Sequence, residues 1–352
     1  MPLAAARDWR GNRRPWRFPG TAQPVPADII CRLAPTATPS HRIVQVFRGI
    51  PARARHSTVL TIGNFDGVHR GHRELLARLA ALARQVGLPS ALLTFEPSPR
   101  EFFAPDSAPA RLTSLREKLQ LLAECGVDQA YVCAFNARFA ALGAEEFVER
   151  IVRGLGVRHL MIGDDFRFGR GRSGDFALLR RAGQAHGFAV EAMDTLEHEG
   201  ERVSSSMVRE AFEAGDLERA AQLLGRPYCI SGRVVHGQKL GRKLGFATAN
   251  VQLKRLRAPF SGIFAVTVDG IGERPHEGVA SLGVRPTVST DGPPTLEVYV
   301  FDFAGDLYRA HLRVNFLHKL RDEAKFDSLE ALQAQIARDV SEARAHHAAL
   351  RD

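Results

Sequence analysis

Two textures within one chain predict the fold class: an α/β, doubly wound domain followed by a small antiparallel β-barrel with a C-terminal helix. From residue 58 to about 192, short apolar strands alternate with helical patterns, the rhythm of a parallel sheet covered by helices. After Gly225-Arg226-Pro227, strands follow one another closely with turns between them, and helices vanish until the end of the chain. The 352 residues are enough for two cores, and their 45% hydrophobic and 25% charged content is that of a globular protein. The chain therefore divides into a basic extension (1–42), a first domain (43–225) and a second domain (226–352).

The extension is rich in arginine, proline and alanine without periodicity, which predicts disorder. Its seven arginines and two aspartates supply +5 of the net +9, leaving +4 for the other 310 residues. So mild a charge argues against a nucleic-acid clamp. The extension lacks the apolar centre of a secretory signal. Its composition fits a targeting segment and a start site further along the chain equally well. No apolar run approaches the ~20 residues of a membrane helix. Cys31, Cys125, Cys133 and Cys229 show no paired spacing, which fits reduced thiols in a cytoplasmic protein.

In the first domain, strands are expected at 58–62, 90–95, 130–135, 158–162 and 188–193. Helices are expected near 72–86, 114–125, 144–154 and 175–187, the first with Leu75, Leu79, Leu82 and Val86 on one stripe. A helical segment at 207–224 closes this half. Barrel strands are expected at 228–235, 246–252, 262–268, 278–282, 295–303 and 308–317. The final helix is expected to begin at Asp327, capped by that carboxylate with Glu330 reaching back. Leu329, Leu332, Ile336 and Val340 would form its apolar stripe.

Residues 63–72 read Gly-Asn-Phe-Asp-Gly-Val-His-Arg-Gly-His directly after the first strand. A strand, a glycine-bearing turn and a helix start aim backbone N–H groups and a positive helix end at one point, which suits a phosphate. Gly63 and Gly67 would let the backbone approach phosphate oxygens closely. His69 and His72 lie on one helical face. They read as surface histidines near a cap, as a metal pair lacking a visible third ligand, or as donors that stabilise charge at a reacting phosphate.

With these residues in view, positions 43–345 are similar to the bacterial bifunctional riboflavin kinase/FMN adenylyltransferase (FAD synthetase) family. Gly163-Asp164-Asp165-Phe166-Arg167-Phe168-Gly169 and Arg202-Val203-Ser204-Ser205-Ser206-Met207-Val208-Arg209 match further family segments in the expected order. The resemblance implies a nucleotidyltransferase-type first domain. There Gly63, Asn64, Phe65, Asp66 and Asp165 line the nucleotide and flavin site. Arg202, Ser205 and Ser206 hold ATP phosphates, while Ser204 on pattern alone is a helix cap. In FMN adenylylation the nucleophile is an ionised phosphate, so no base is needed. His69, His72 and Arg202 would instead offset charge at the α-phosphorus, with Mg²⁺ on the leaving pyrophosphate.

In the second domain, residues 236–250 form a basic, glycine-rich loop that fits neither common phosphate-loop pattern. On composition it reads as a solvated hairpin loop. The resemblance makes it the kinase site: Gly241, Arg242 and Lys243 beside ATP, and Thr248 and Asn250 on Mg²⁺ and the phosphates. Ala247 stands where the family has proline, which would loosen the loop and raises the alternative of an adenylyltransferase with an inert barrel. Glu297 reads as an exposed-face carboxylate of a barrel strand. By resemblance it is the general base for a ribityl hydroxyl. The partners implied are small molecules (riboflavin, FMN, ATP), with no nucleic acid and no membrane, and homo-oligomerisation is left open.

Overall fold

The computed structural model describes residues 29–33, 44–193, 197, 198, 200–237, 241, 244–283 and 294–351. The first seven strands are β1 (Ile29–Leu33), β2 (Val44–Arg48), β3 (Thr58–Ile62), β4 (Ser90–Glu96), β5 (Gln129–Ala134), β6 (Val157–Gly163) and β7 (Ala189–Met193). They form one sheet in the order β1-β2-β5-β4-β3-β6-β7. Neighbours from β2 to β7 are parallel. All five residues of β3 are buried, as a strand covered on both faces requires. Helices α1 (Arg70–Val86) and α3 (Leu115–Glu124) pack on one face through Leu76, Leu79 and Leu122. On the other face lie α5 (Ala144–Leu155) and α6 (Phe176–His186), through Ile151, Leu155 and Leu179. The doubly wound expectation holds.

Three local differences have physical reasons. Strand β1 pairs antiparallel with β2, so residues 29–33 are not the disordered tail that composition predicted; the edge of β2 offers ladder partners that local composition cannot reveal. The rest of the 1–42 expectation falls outside the described residues. The turns α2 (Pro99–Phe103) and α4 (Ala137–Ala140) are too short to show periodicity. The stripe on α1 is centred on Leu75, Leu76, Leu79, Ala80 and Ala83, leaving Val86 exposed.

A two-residue hairpin, β8 (Glu197–His198) and β9 (Glu201–Arg202), leads into α7 (Ser205–Glu213) and α8 (Leu217–Leu224). The barrel strands are β10 (Tyr228–Val235), β11 (Ala249–Val251), β12 (Gly262–Asp269), β13 (His276–Gly283), β14 (Thr295–Val300) and β15 (His311–Arg321). They close in the order β10-β11-β14-β13-β12-β15. One hydrophobic cluster runs from Leu112, Val208 and Phe212 through Leu223 to Tyr228, Phe264 and Phe316 inside the barrel. Residue 225 thus marks a change of secondary structure and not a gap in packing.

The last helix, α9 (Leu329–Ala349), is capped by Ser328, whose hydroxyl accepts from the Ala331 N–H at 3.1 Å. Asp327 lies one residue too early, so the expected capping pair is corrected. Leu329 is exposed as well. The helix docks instead through a paired Arg321–Asp339 contact, both bonds 2.7 Å, and through Val340 and Ala343.

Candidate active sites

Strand β3 pairs with β4 on one side and β6 on the other, so the winding reverses between β3 and β6. Ligands of such sheets bind beyond the carboxyl ends of the strands at that reversal. There the turn after β3, the loop after β6 and the 202–206 segment line one cavity of about 920 Å³. The sequence-predicted Gly63, Asn64, Phe65, Asp66, His69, His72, Asp165, Arg202, Ser205 and Ser206 all reach its wall.

The turn is a packed object. A Cβ on Gly63 would stand 2.9 Å from the Phe65 ring, so glycine there makes room for a phenylalanine that is 1% exposed. Gly67 has φ +78°, and a Cβ would meet Leu112 at 2.8 Å. The Gly67 N–H donates to the Thr113 hydroxyl at 3.0 Å. Gly67 therefore serves the turn's packing and is not the expected phosphate cradle. The Asp66 carboxylate is equally engaged. It accepts from the Leu112 and Thr113 N–H groups at 3.1 and 2.9 Å, and from Arg209 at 2.5 Å. Arg226 donates to the carbonyls of Gly67 and Val68 at 2.7 and 3.0 Å. Nothing local announces Asp66, Arg209 and Arg226 as clamps, because their partners are far along the chain.

His69 is the N-cap of α1: its Nδ1 accepts from the His72 backbone N–H at 3.4 Å, which places the ring proton on Nε2. The two imidazoles stack with centroids 3.7 Å apart, and Phe65 backs His72 at 4.9 Å. His72 Nδ1 is enclosed and has no hydrogen-bond partner among the described residues. Burial holds His69 at a pKa of about 4; Asp66 opposes the shift, and Arg202 and Arg226 add to it. Burial, then His69 and Lys118, push His72 well below its ordinary value. Both rings are thus neutral at pH 7. As neutral rings they can donate hydrogen bonds to a phosphate.

That neutrality has a consequence for stability. Between about pH 4 and 6.5 the unfolded chain binds protons that folded His69 refuses, so stability is complete above 6.5 and is lost as pH falls through this window. The slope is ~1.4 kcal/mol per pH unit for one such histidine. Urea titrations at pH 7 and 5 are expected to show a steeper loss for the native chain than for a His69→Asn/His72→Asn variant. Equal slopes would contradict the neutral pair.

Arg202 pairs with Asp165 at 2.8 Å, both side chains more than half exposed. Such a pair is worth little in water, so a phosphate can take over the guanidinium cheaply. Ser204 caps α7, accepting from the Met207 N–H at 3.2 Å. Ser205 donates to the Asp66 carbonyl at 2.9 Å, and Ser206 is exposed at the cavity. The cavity also has an aromatic lining: Phe166 and Phe168 from the 163–169 segment, and Phe95, Phe103, Phe135 and Phe139, which sequence reading missed. Phe95–Phe135 and Phe135–Phe139 centroids are 5.7 and 5.6 Å apart. A flat apolar ring fits such a wall.

On the barrel, β11 pairs with β14 so that Asn250 faces Glu297 in register. The Thr248 hydroxyl donates to the Glu297 carboxylate at 3.3 Å. Flanking Leu296 and Val298 point into the core at 1% and 0% exposure, which turns Glu297 away from it, towards Thr248. Gly241 packs near this group, a Cβ there lying 3.3 Å from the Thr248 hydroxyl. Arg242 and Lys243 fall outside the described residues. Ala247 is exposed and leaves the Thr248–Glu297 contact intact. Among the described residues no helix is long and apolar enough to cross a membrane.

Fold and sites together define a two-domain transferase, with a phosphate-handling cavity on a doubly wound sheet and a hydroxyl–carboxylate site on a closed barrel. The FAD synthetase family model matches residues 52–207 and the riboflavin kinase model residues 224–347. The chain is 54% identical to a bifunctional riboflavin kinase/FMN adenylyltransferase of Pseudomonas fluorescens, over 86% of this chain and 97% of the relative. It is 50% identical to that of Escherichia coli K12 over the same shares. A crystal structure of a protein described as macrolide-efflux, from Streptococcus pneumoniae, superposes with TM-score 0.71 at 30% identity, over 84% of this chain and 97% of that one. The chain belongs to the bifunctional riboflavin kinase/FMN adenylyltransferase family. An inert barrel is not favoured, since the riboflavin kinase model spans it.

Proposed function

We propose that the barrel domain (226–352) phosphorylates riboflavin to FMN with ATP, and that the first domain (43–225) adenylylates FMN to FAD. The observation that carries this reading is the convergence of 63–72, 163–169 and 202–206 on one cavity with an aromatic wall, while a separate hydroxyl–carboxylate pair sits on the barrel.

In the kinase step a ribityl hydroxyl attacks the γ-phosphorus of ATP, Glu297 takes the hydroxyl proton, and ADP leaves. Thr248 and Asn250 offer oxygen donors beside a carboxylate, which suits Mg²⁺. No cluster of three His, Cys, Asp or Glu exists among the described residues, so such a cation would share substrate phosphates as ligands. When bound it would offset charge on the ATP phosphates.

In the adenylyl step an FMN phosphate oxygen forms a bond to the α-phosphorus. The bond from that phosphorus to the bridging oxygen breaks, and pyrophosphate leaves with its electron pair. No proton has to move. His69 and His72 act as neutral donors to the α-phosphate, and Arg202 supplies charge, with Ser205 and Ser206 beside it.

Incubation of the full chain with riboflavin, ATP and Mg²⁺ is expected to yield FMN and then FAD, whereas FMN and ATP yield FAD directly. Absence of FAD from FMN would overturn the first-domain reading. His72→Ala is expected to slow FAD formation by about 10²–10³-fold while sparing FMN formation. Equal loss of both products would argue against two independent sites.

A further inference from the structure

Lys118, on α3, is 5% exposed yet reaches the wall of the large cavity. Among the described residues its ammonium makes no hydrogen bond or ion pair, whereas the other cations of that wall have carboxylate partners or lie in solvent. Arg202 pairs with Asp165, Arg209 with Asp66, Arg78 with Glu74, and Arg111 with both Glu96 and Glu101. Arg100, Arg167 and Arg172 are exposed. The side chain is buried against α3's surroundings but lines the cavity, so an anion entering the cavity can pair with its ammonium.

The position of Lys118 indicates which anion. It feels Asp66 on the side of the 63–72 turn, and Glu96, Arg111 and Glu101 on the side of the aromatic wall. It also acts on His72. Glu96 follows Phe95 and Glu101 precedes Phe102 and Phe103, and both carboxylates line the same cavity as Phe95 and Phe103. Burial lowers the Lys118 pKa, although the nearby carboxylates oppose the shift. Arg202 reaches the loop after β6 through Asp165, while Ser205 bonds the Asp66 carbonyl in the 63–72 turn and Ser206 lines the cavity beside it.

We infer that Lys118 binds the phosphate of the flavin nucleotide and holds it against the histidine pair for attack. This rests on the adenylyl-transfer reading of the cavity. The ring would lie on the aromatic wall, with its phosphate extending to the buried ammonium, while ATP phosphates lie towards Arg202. One cation would thereby be reserved for each of two anions that must meet, and repulsion between them would be offset from both sides.

The test replaces Lys118 with methionine in the full chain. Steady-state adenylylation is expected to show the KM for FMN raised on the order of 10- to 100-fold, the size of a lost charged hydrogen bond. The KM for ATP should change less than about twofold. Lumiflavin, a flavin without phosphate, should inhibit with unchanged affinity. Riboflavin phosphorylation should be intact, and the ligand-free melting temperature should not fall, because an unpaired buried charge has been removed. Lys118→Gln provides the same comparison if the methionine variant does not fold. A parallel loss of lumiflavin affinity would mean that Lys118 only shapes the cavity. A raised KM for ATP would assign the ammonium to the other substrate. Unchanged kinetics would leave Lys118 without a role. Each of these overturns the inference while FAD formation by the native chain still stands.

Discussion

Glu297→Ala is expected to reduce riboflavin phosphorylation by about 10²–10⁴-fold, the usual contribution of a positioned general base. The nucleophile is a neutral hydroxyl, and its proton must leave as the bond to phosphorus forms. Glu297 is the carboxylate that the register of β11 and β14 places opposite Asn250 and that Thr248 touches at 3.3 Å. FMN adenylylation should be unaffected, because that nucleophile is already an anion. Chromatographic product analysis with riboflavin in one assay and FMN in the other separates the effects. The assignment fails if FMN formation persists near the native rate, or if FAD formation from supplied FMN falls in parallel. Glu297→Gln should behave like alanine, since an amide keeps the shape but accepts no proton at neutral pH.

The second large effect concerns the joint between the domains. Glu117→Ala is expected to destabilise the protein by ~3–5 kcal/mol, because it strands Arg255 as a buried, unpaired cation. Glu117 is 3% exposed and Arg255 1% as side chains, at 2.5 Å from each other. The same carboxylate accepts from the Ser231 N–H at 2.7 Å and from its own N-cap residue, Ser114, at 2.6 Å. Arg255 donates to the Tyr228 hydroxyl at 2.6 Å, and Tyr228 donates to the Leu112 carbonyl at 2.7 Å. Urea unfolding followed by circular dichroism measures the loss. A change below about 1 kcal/mol would place the pair among surface-like bridges. A Glu117→Leu/Arg255→Met double variant should recover much of the loss, since removing both charges removes the desolvation cost. Because Leu112 and Thr113 donate to Asp66, the single variant should also disturb adenylylation more than phosphorylation.

Much of the framework is legible in the chain because its signals are local. Apolar runs such as Thr58–Ile62 and Ser90–Glu96, and the periodicity of α1 and α5, depend only on neighbours in sequence. The 63–72 motif is legible for the same reason. What escaped reading depends on distant partners. Lys118 looks like a helix-surface lysine until the fold closes the cavity wall over it. Arg255 and Glu117 are 138 residues apart, and Asp66 and Arg209 are 143 apart, with nothing local to announce either pairing. The lowered pKa of His69 and His72 is not legible in the sequence, because burial, not residue type, decides it. Ser328 displaced Asp327 as the cap of α9 because two adjacent residues can both cap, and only the docked helix selects one.

Arg226 closes the comparison between the two halves. It sits at the junction, yet its guanidinium grips the Gly67 and Val68 carbonyls in the turn that carries the histidines. The two activities are therefore not beads on a string. A recombination event that joined this first half to a foreign barrel just after residue 225 would import a stranger at position 226. The turn would then lose its brace unless the newcomer also carried an arginine there. A successful exchange of modules would have to carry Arg226 along with the Glu117–Arg255 contact.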